Sequence, residues 1–306
     1  MIINTTRPTA KKILLICNPI SGYSDKYWLD ALCEQINQDG YFWQRYDTQS
    51  SGDATRYLIE ENWQADLIIV AGGDGTINEV AAGLLAKQCF DTPILALSTG
   101  TANVLARELG INGLAKRHKI PEIMALIKQR PIREVQLATI NQKAMLLMAG
   151  VGFDAWVVHK LDSNLKKRFG KLAYVVSMFK ELSHASQRHY DLSIEDEIHK
   201  VNAAIVSNGR YYAGSYTLCP NGRLEDKHLT VTTITGNTAQ FILALLALPL
   251  GLMHKCPGVD QYRVADIEIT SPQENEPIQL DGDDFGMLPC RISSSDNCLK
   301  FIHKAH

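Results

Sequence analysis

The stretch Leu67-Ile68-Ile69-Val70-Ala71-Gly72-Gly73-Asp74-Gly75-Thr76 constrains this chain more than any other. A short, wholly apolar run reads as a strand buried on both faces, and such strands belong to parallel sheets covered by helices. The run breaks into three glycines around one aspartate, and a helical pattern starts at Thr76. A strand that turns through glycines into a helix leaves free backbone N–H groups at the positive helix end, a geometry suited to phosphate. Asp74 is the odd member, because a carboxylate beside a polyphosphate is repelled unless a cation or a proton transfer accounts for it. The expectation is a phosphoryl-transfer site with Asp74 near the chemistry. The plainer alternative is a tight turn in which Asp74 caps the helix that follows.

The same pattern recurs on either side. Residues 13–17 form a short apolar strand ending in Asn18-Pro19-Ile20-Ser21-Gly22, whose amides and Ser21 hydroxyl suit a phosphate, although Asn-Pro and Ser-Gly are also everyday turn formers. Leu29, Leu32, Cys33 and Ile36 recur at helical spacing, residues 41–46 read as a second strand, and Ser51-Gly52-Asp53-Ala54 reads as a helix start. A strand over 94–97 ends in Ser98-Thr99-Gly100-Thr101-Ala102-Asn103, where Thr101 and Asn103 can donate to phosphate or ribose oxygens or cap the next helix. Short apolar strands alternating with amphipathic helices predict a Rossmann-like α/β domain with a parallel sheet over residues 10–137. All three turns fall at the carboxyl ends of strands, where such sheets hold ligands.

After residue 137 the texture changes. Tyr190, Leu192 and Ile194 alternate with polar residues, as do Ala265, Ile267 and Ile269, and residues 229–234 are rich in β-branched side chains. Turn pairs such as Asn208-Gly209 and Asn221-Gly222 punctuate the stretch. A mainly antiparallel second domain, of sandwich type, is expected over 138–306, with helices over 169–182 and 239–253. The last strand, 299–303, can pair with either domain. The run 241–253 is too short to span a bilayer, and Pro249 and Gly251 end it as they would a buried core helix. Lys166, Lys167, Arg168 and Lys171 precede an apolar stretch over 172–178, which reads equally as a site for anionic headgroups or as a solvated helix end. Leu280-Asp281-Gly282-Asp283-Asp284 offers paired carboxylates that can bind a cation or take a proton from a hydroxyl, or form an ordinary Asp-Gly hairpin turn.

Bulk properties narrow the function. With 306 residues, 45% hydrophobic and 21% charged, the chain can bury a large core. A net charge of −2 argues against a nucleic-acid binder that relies on a broad basic surface. Seven cysteines stand singly, with no Cys-x-x-Cys pair, which fits reduced thiols and a cytoplasmic location. The first ten residues are polar and hold no signal-peptide core.

Taken together and in this order, Asn18-Pro19-Ile20-Ser21-Gly22, the block from Gly72 to Val80 (Gly-Gly-Asp-Gly-Thr-Ile-Asn-Glu-Val), Gly100-Thr101-Ala102-Asn103 and Asp281-Gly282-Asp283 resemble the diacylglycerol kinase catalytic-domain family. The glycine–aspartate block is shared with phosphofructokinases and NAD kinases; the other three segments narrow the resemblance to lipid kinases, including sphingosine and ceramide kinases. The resemblance implies a nucleotide domain followed by a β-sandwich, with ATP and Mg²⁺ as cofactors and the γ-phosphoryl group passing to a lipid hydroxyl. Its nucleotide contacts map onto Asn18, Pro19, Ser21, Gly22, Thr48, Gly72, Gly73, Asp74, Gly75, Thr76, Asn78, Gly100, Thr101 and Asn103, and its catalytic acids onto Asp74, Asp281 and Asp283. A structural Mg²⁺ is implied at Arg223, Asp226 and His228, with Asp226 the side-chain ligand and the other two offering carbonyls. Lys227 replaces a usual glycine there, Gln136 replaces a usual aspartate, Asn103-Val104 replaces Asn-Asp, and Asp283 replaces a glutamate one methylene longer. The expected partners are a lipid substrate and transient, peripheral contact with a membrane surface, with no nucleic acid and a homodimer left open. A kinase of a soluble acceptor and a non-catalytic nucleotide-responsive regulator are the competing readings.

Overall fold

The computed structural model describes residues 11–21, 27–160 and 181–304. The chain divides into two units, Met1–Arg133 with Leu299–His306, and Glu134–Cys298.

In the first unit β1 (Lys12–Cys17), α1 (Trp28–Gln38), β2 (Phe42–Asp47), α2 (Asp53–Glu60), β3 (Leu67–Gly72), α3 (Asp74–Lys87), β4 (Ile94–Ser98), α4 (Val104–Glu108) and α5 (Ile120–Gln129) follow one another. The strands are parallel in the order β2-β1-β3-β4. β3 and β4 are buried at every residue and β1 at all but the first, as their unbroken apolar runs predict. The register sets Cys17 beside Ala71 and Gly72 beside Ser98, so β1, β3 and β4 end at one level. The strand order reverses between β1 and β3, and the crevice at such a reversal is where open α/β sheets bind ligands.

Helices α2 and α3 pack together, and their approach needs Gly83, where a Cβ would stand 2.7 Å from the Leu58 Cβ. Glu79 fixes the same contact. Its carboxylate accepts the amides of Gly52 at 2.8 Å and Ala54 at 3.1 Å, and so caps α2 from a neighbouring helix.

The second unit is entered within β5 (Ile132–Ile140) and left within β18 (Cys290–Ile302). Between them lie β6 (Lys143–Met145), β7 (Met148–Val151), α6 (Phe153–His159), β8 (Tyr190–Ile194), β9 (Glu197–Val201), β10 (Ala203–Ser207), β11 (Tyr211–Tyr212), β12 (Tyr216–Thr217), β13 (Leu229–Ile234), α7 (Thr238–Ala247), β14 (Val259–Val264), β15 (Asp266–Thr270), β16 (Pro277–Leu280) and β17 (Asp283–Met287). One antiparallel sheet runs β14-β13-β10-β7-β16-β17, and a second pairs β18, β15, β8 and β9. Alternate residues of both form one core, with Ala149, Val206, Val231 and Ile278 from the first meeting Leu192, Ile267 and Ile292 from the second. This is the expected mainly antiparallel architecture. The strand expected over 299–303 is the end of β18; Phe301 pairs in parallel with Ile94 of β4, while its earlier residues pair with β15.

One sequence expectation changes and another falls outside the described residues. The helix expected over 169–182 and the basic cluster from Lys166 to Lys171 lie outside the described residues, except for its last two positions. The run over 241–253 is helical but is not a buried core helix. Only Phe241, Ala244, Leu248 and Met253 are buried, whereas Leu246 is 68% and Leu250 73% exposed. A helix apolar on every side does not reveal which face packs, and here the unit covers only one.

Replacing Glu79 by alanine leaves two amides of the first turn of α2 without their acceptor. The expected loss is about 1 kcal/mol of stability, read as a lower urea midpoint at unchanged slope.

Candidate functional site

The three turns at the carboxyl edge of the first unit are wired to one another. Thr99 donates its amide to the Gly72 carbonyl at 2.8 Å, and the Ser21 hydroxyl meets the Thr99 hydroxyl at 2.6 Å. The Asn18 amide side chain donates to Thr76 Oγ1 at 3.3 Å, and its backbone N–H donates to the Ala71 carbonyl. Gly73 and Gly100 pass so closely that a Cβ on Gly100 would lie 2.9 Å from the Gly73 Cα. Gly100 is therefore required by backbone approach, and Gly72 by the Thr76 side chain 2.6 Å from where its Cβ would stand, before any ligand is considered.

Asp74 does not cap α3, the plainer of the two roles expected of it from sequence. Its carboxylate accepts the amide of Val104 at 2.9 Å and that of Leu105 at 3.2 Å, capping α4 rather than α3. Burial pushes this carboxyl above the ordinary carboxylate range, while the amides of Val104, Leu105 and Asn103 pull it back. No side chain caps the N-terminus of α3, so its first-turn amides remain directed at the glycine turn. Asn103, in the left-handed conformation at φ 52°, starts α4. Polar atoms of Asn78, Ser98 and Asn103 on this edge are buried without a protein partner, as a surface that hydrogen-bonds a polar ligand requires.

The other nucleotide candidates sort by position. Pro19 and Thr101 are exposed on their turns, and Gly75 begins α3 beside Asp74. Gly22 lies outside the described residues. Thr48 is buried, and both its amide and its hydroxyl donate to the Cys17 carbonyl, so it braces the ends of β2 and β1.

In the second unit the acids divide in function. Asp281 accepts the amides of Met148 at 2.8 Å, Leu147 at 3.1 Å and Leu146 at 3.5 Å, which pins the turn between β6 and β7. Asp283 is exposed on β17. Its neighbour Asp284 lies 2.9 Å from His159 Nδ1 of α6. Gln136, where the family has an acid, donates to the Ser295 carbonyl and, at 3.2 Å, to that of Asn297, which a carboxylate could not do.

Sequence reasoning passed over Asp154. Tyr212 donates its hydroxyl to Oδ1 of this carboxyl, Oδ2 is buried without a hydrogen-bond partner, and burial pushes the group up to about 6. The available signal was Gly150-Val151-Gly152-Phe153-Asp154. A Cβ on Gly150 would stand 2.7 Å from Asp154 Oδ2 and 2.9 Å from Gln279 Nε2.

Arg223, Asp226 and His228 do not fit the metal site expected of them. Asp226 is already neutralised by Arg263 at 2.5 Å and accepts the His228 amide at 3.0 Å. Burial raises its carboxyl, but the His228 amide, Arg263 and the His228 ring together hold it below the usual range. The Arg223 carbonyl accepts the Asp226 amide at 3.1 Å within the same turn. A divalent cation would have to displace a guanidinium from its one carboxylate. Among the described residues, no group of three or more His, Cys, Asp or Glu side chains could hold a metal.

The Asp154 carboxyl gives a pH test. Its folded-state pKa lies above the ordinary 3.8, so its contribution to stability is whole at low pH and is lost as pH rises through about 6. Asp154→Asn keeps an acceptor for Tyr212 but cannot ionise. Thermal denaturation across that window is expected to fall with pH in the parent and to flatten in the variant.

The model of the diacylglycerol kinase catalytic domain matches residues 12–140, and that of the YegS C-terminal NAD kinase beta sandwich-like domain matches 148–303. A protein of Pseudomonas aeruginosa (strain UCBPP-PA14) named as a YegS-like lipid kinase is 30% identical over 264 residues, covering 83% of this chain and 82% of its own. A diacylglycerol kinase of Bacillus subtilis (strain 168) is 28% identical over 285 residues, covering 91% and 92%. The fold matches the crystal structure of a diacylglycerol kinase from Bacillus anthracis strain Sterne with a TM-score of 0.71 at 20% identity, over 97% of this chain and 98% of that one. With both units matched in sequence, and with phosphate-type turns gathered at one sheet edge, the chain belongs to the diacylglycerol kinase catalytic-domain family.

Proposed function

We propose that this protein is an ATP-dependent lipid kinase that transfers the γ-phosphoryl group to a hydroxyl of a diacylglycerol, phosphatidylglycerol or sphingoid-type lipid at a membrane surface. The observation that carries the reading is the single edge formed by Asn18–Ser21, Gly72–Thr76 and Gly100–Asn103, with the uncapped α3 N-terminus at its centre. Backbone amides at a helix start suit the ATP phosphates, and phosphoryl transfer is catalysed chiefly by placement and charge. In the reaction the lipid oxygen bonds to the γ-phosphorus as the bond to the β,γ-bridging oxygen breaks, and ADP leaves. The hydroxyl proton goes to a carboxylate. Asp281 is engaged by backbone amides, which favours Asp283 as proton acceptor. Mg²⁺ belongs to this reading as the counter-ion of ATP, rather than as an ion held by Arg223, Asp226 and His228.

Purified protein, labelled ATP and a total lipid extract test the reading directly. Label should enter the organic phase. Label in an aqueous acceptor instead would favour a soluble-substrate kinase, and nucleotide binding without turnover a regulator. Asp74→Ala should abolish transfer, with circular dichroism reporting whether the fold survives release of α4; an active variant removes Asp74 from the mechanism.

Asp283 and Asp281 should separate by behaviour. Asp283→Ala is expected to lower kcat by about a hundredfold or more, with circular dichroism confirming that the fold is kept. Asp281→Ala is expected to cost about 1–3 kcal/mol of stability, because three amides lose their acceptor.

A further inference from the structure

Helix α7 presents an apolar face that the second unit leaves uncovered. Asn237 and Gln240 form a complete capping box at its start, so the helix is well defined. Its packed side is Phe241, Ala244 and Leu248, spaced three and four apart. Ile242, Leu243, Leu246 and Leu250 recur at the same spacing on the other side, and Leu252 continues them past the turn Leu248–Leu250; these five are 41% to 73% exposed. Tyr216, 39% exposed, stands on β12, which packs against that turn.

The charges around this face identify what covers it. Residues 238–259 contain no aspartate or glutamate, and their one lysine, Lys255, lies in the turn Met253–Lys255; the next acid along the chain is Asp260, on β14. An apolar helical face that carries no acid of its own and ends at a lysine suits an anionic bilayer. No helix among the described residues is long and apolar enough to cross a membrane, so a helix of this kind lies along the surface.

We infer that the face formed by Ile242, Leu243, Leu246, Leu250 and Leu252 is the surface by which the protein rests on an anionic lipid bilayer. The leucines enter the boundary between headgroups and acyl chains, with Lys255 toward the headgroups and Tyr216 at the margin. The inference rests on the lipid-kinase reading, which supplies the need to visit a membrane, but it assigns a surface that this reading leaves open.

Flotation of the full chain with phosphatidylcholine vesicles, with and without phosphatidylglycerol, tests it in the absence of ATP. Leu246→Glu with Leu250→Glu is expected to weaken vesicle binding at least about tenfold, while phosphorylation of a short-chain, monomeric diacylglycerol is unchanged. Leu246→Ser with Leu250→Ser serves if the glutamates impair folding, as judged by circular dichroism. Binding to the anionic vesicles should exceed that to phosphatidylcholine alone, and Lys255→Glu should narrow the difference. Undiminished vesicle binding by the double variants overturns the inference, as does a parent dimer that these substitutions dissociate while vesicle binding persists. Vesicle binding that needs the leucines, in a protein that phosphorylates neither lipid, would instead sink the lipid-kinase reading and leave the docking surface standing.

Discussion

The first unit depends on one carboxylate. Asp74 sits at the start of α3, where its charge would oppose any phosphate, yet its oxygens face the amides of Val104 and Leu105. The negative charge is thus taken up by the orphan donors of α4, and the amides of α3 keep their positive character. The same two bonds tie the turn after β3 to the turn after β4. Thr99 to Gly72, Ser21 to Thr99 and Asn18 to Thr76 then complete a connected edge. Because charge-assisted bonds to backbone amides are stronger than neutral ones, the position of the third turn follows from the second.

Asp281 repeats the device in the second unit, where it gathers the amides of Leu147 and Met148 at the entry to β7. In both places an aspartate beside glycine holds a segment distant in sequence. Such residues look like reacting groups in a motif and act first as fasteners. This moves attention to Asp283 for proton transfer, and to Gln136, whose amide supplies donors that β18 carbonyls need. Glu79 belongs to the same class: the phosphate motif ends on an acid that caps α2.

Helix α7 shows how one composition supports opposite outcomes. Its residues are apolar nearly all round, a pattern that ordinarily marks a buried element. The second unit offers it a single packing surface through Phe241 and Ala244, so the remaining leucines stay outside. That unpartnered face is the one we assign to a lipid surface.

The sequence by itself determined the parallel sheet, the antiparallel second unit and the three turns, because each is written in local pattern: apolar runs, period-two alternation and glycines at strand ends. Register then brings those turns level, since Cys17 at the end of β1 lies beside Ala71 of β3 and Gly72 of β3 beside Ser98 at the end of β4. Only the tertiary structure decided which partner each charged group found. Asp74 meets amides 30 residues later in the chain, and Asp226 meets Arg263 rather than a cation. Asp154 becomes a buried acid because Gly150 lets it and Gln279 close over the sheet. Periodicity reports what a residue's own element needs, whereas the pairing of charges and the covering of a helix face depend on which other elements arrive beside it.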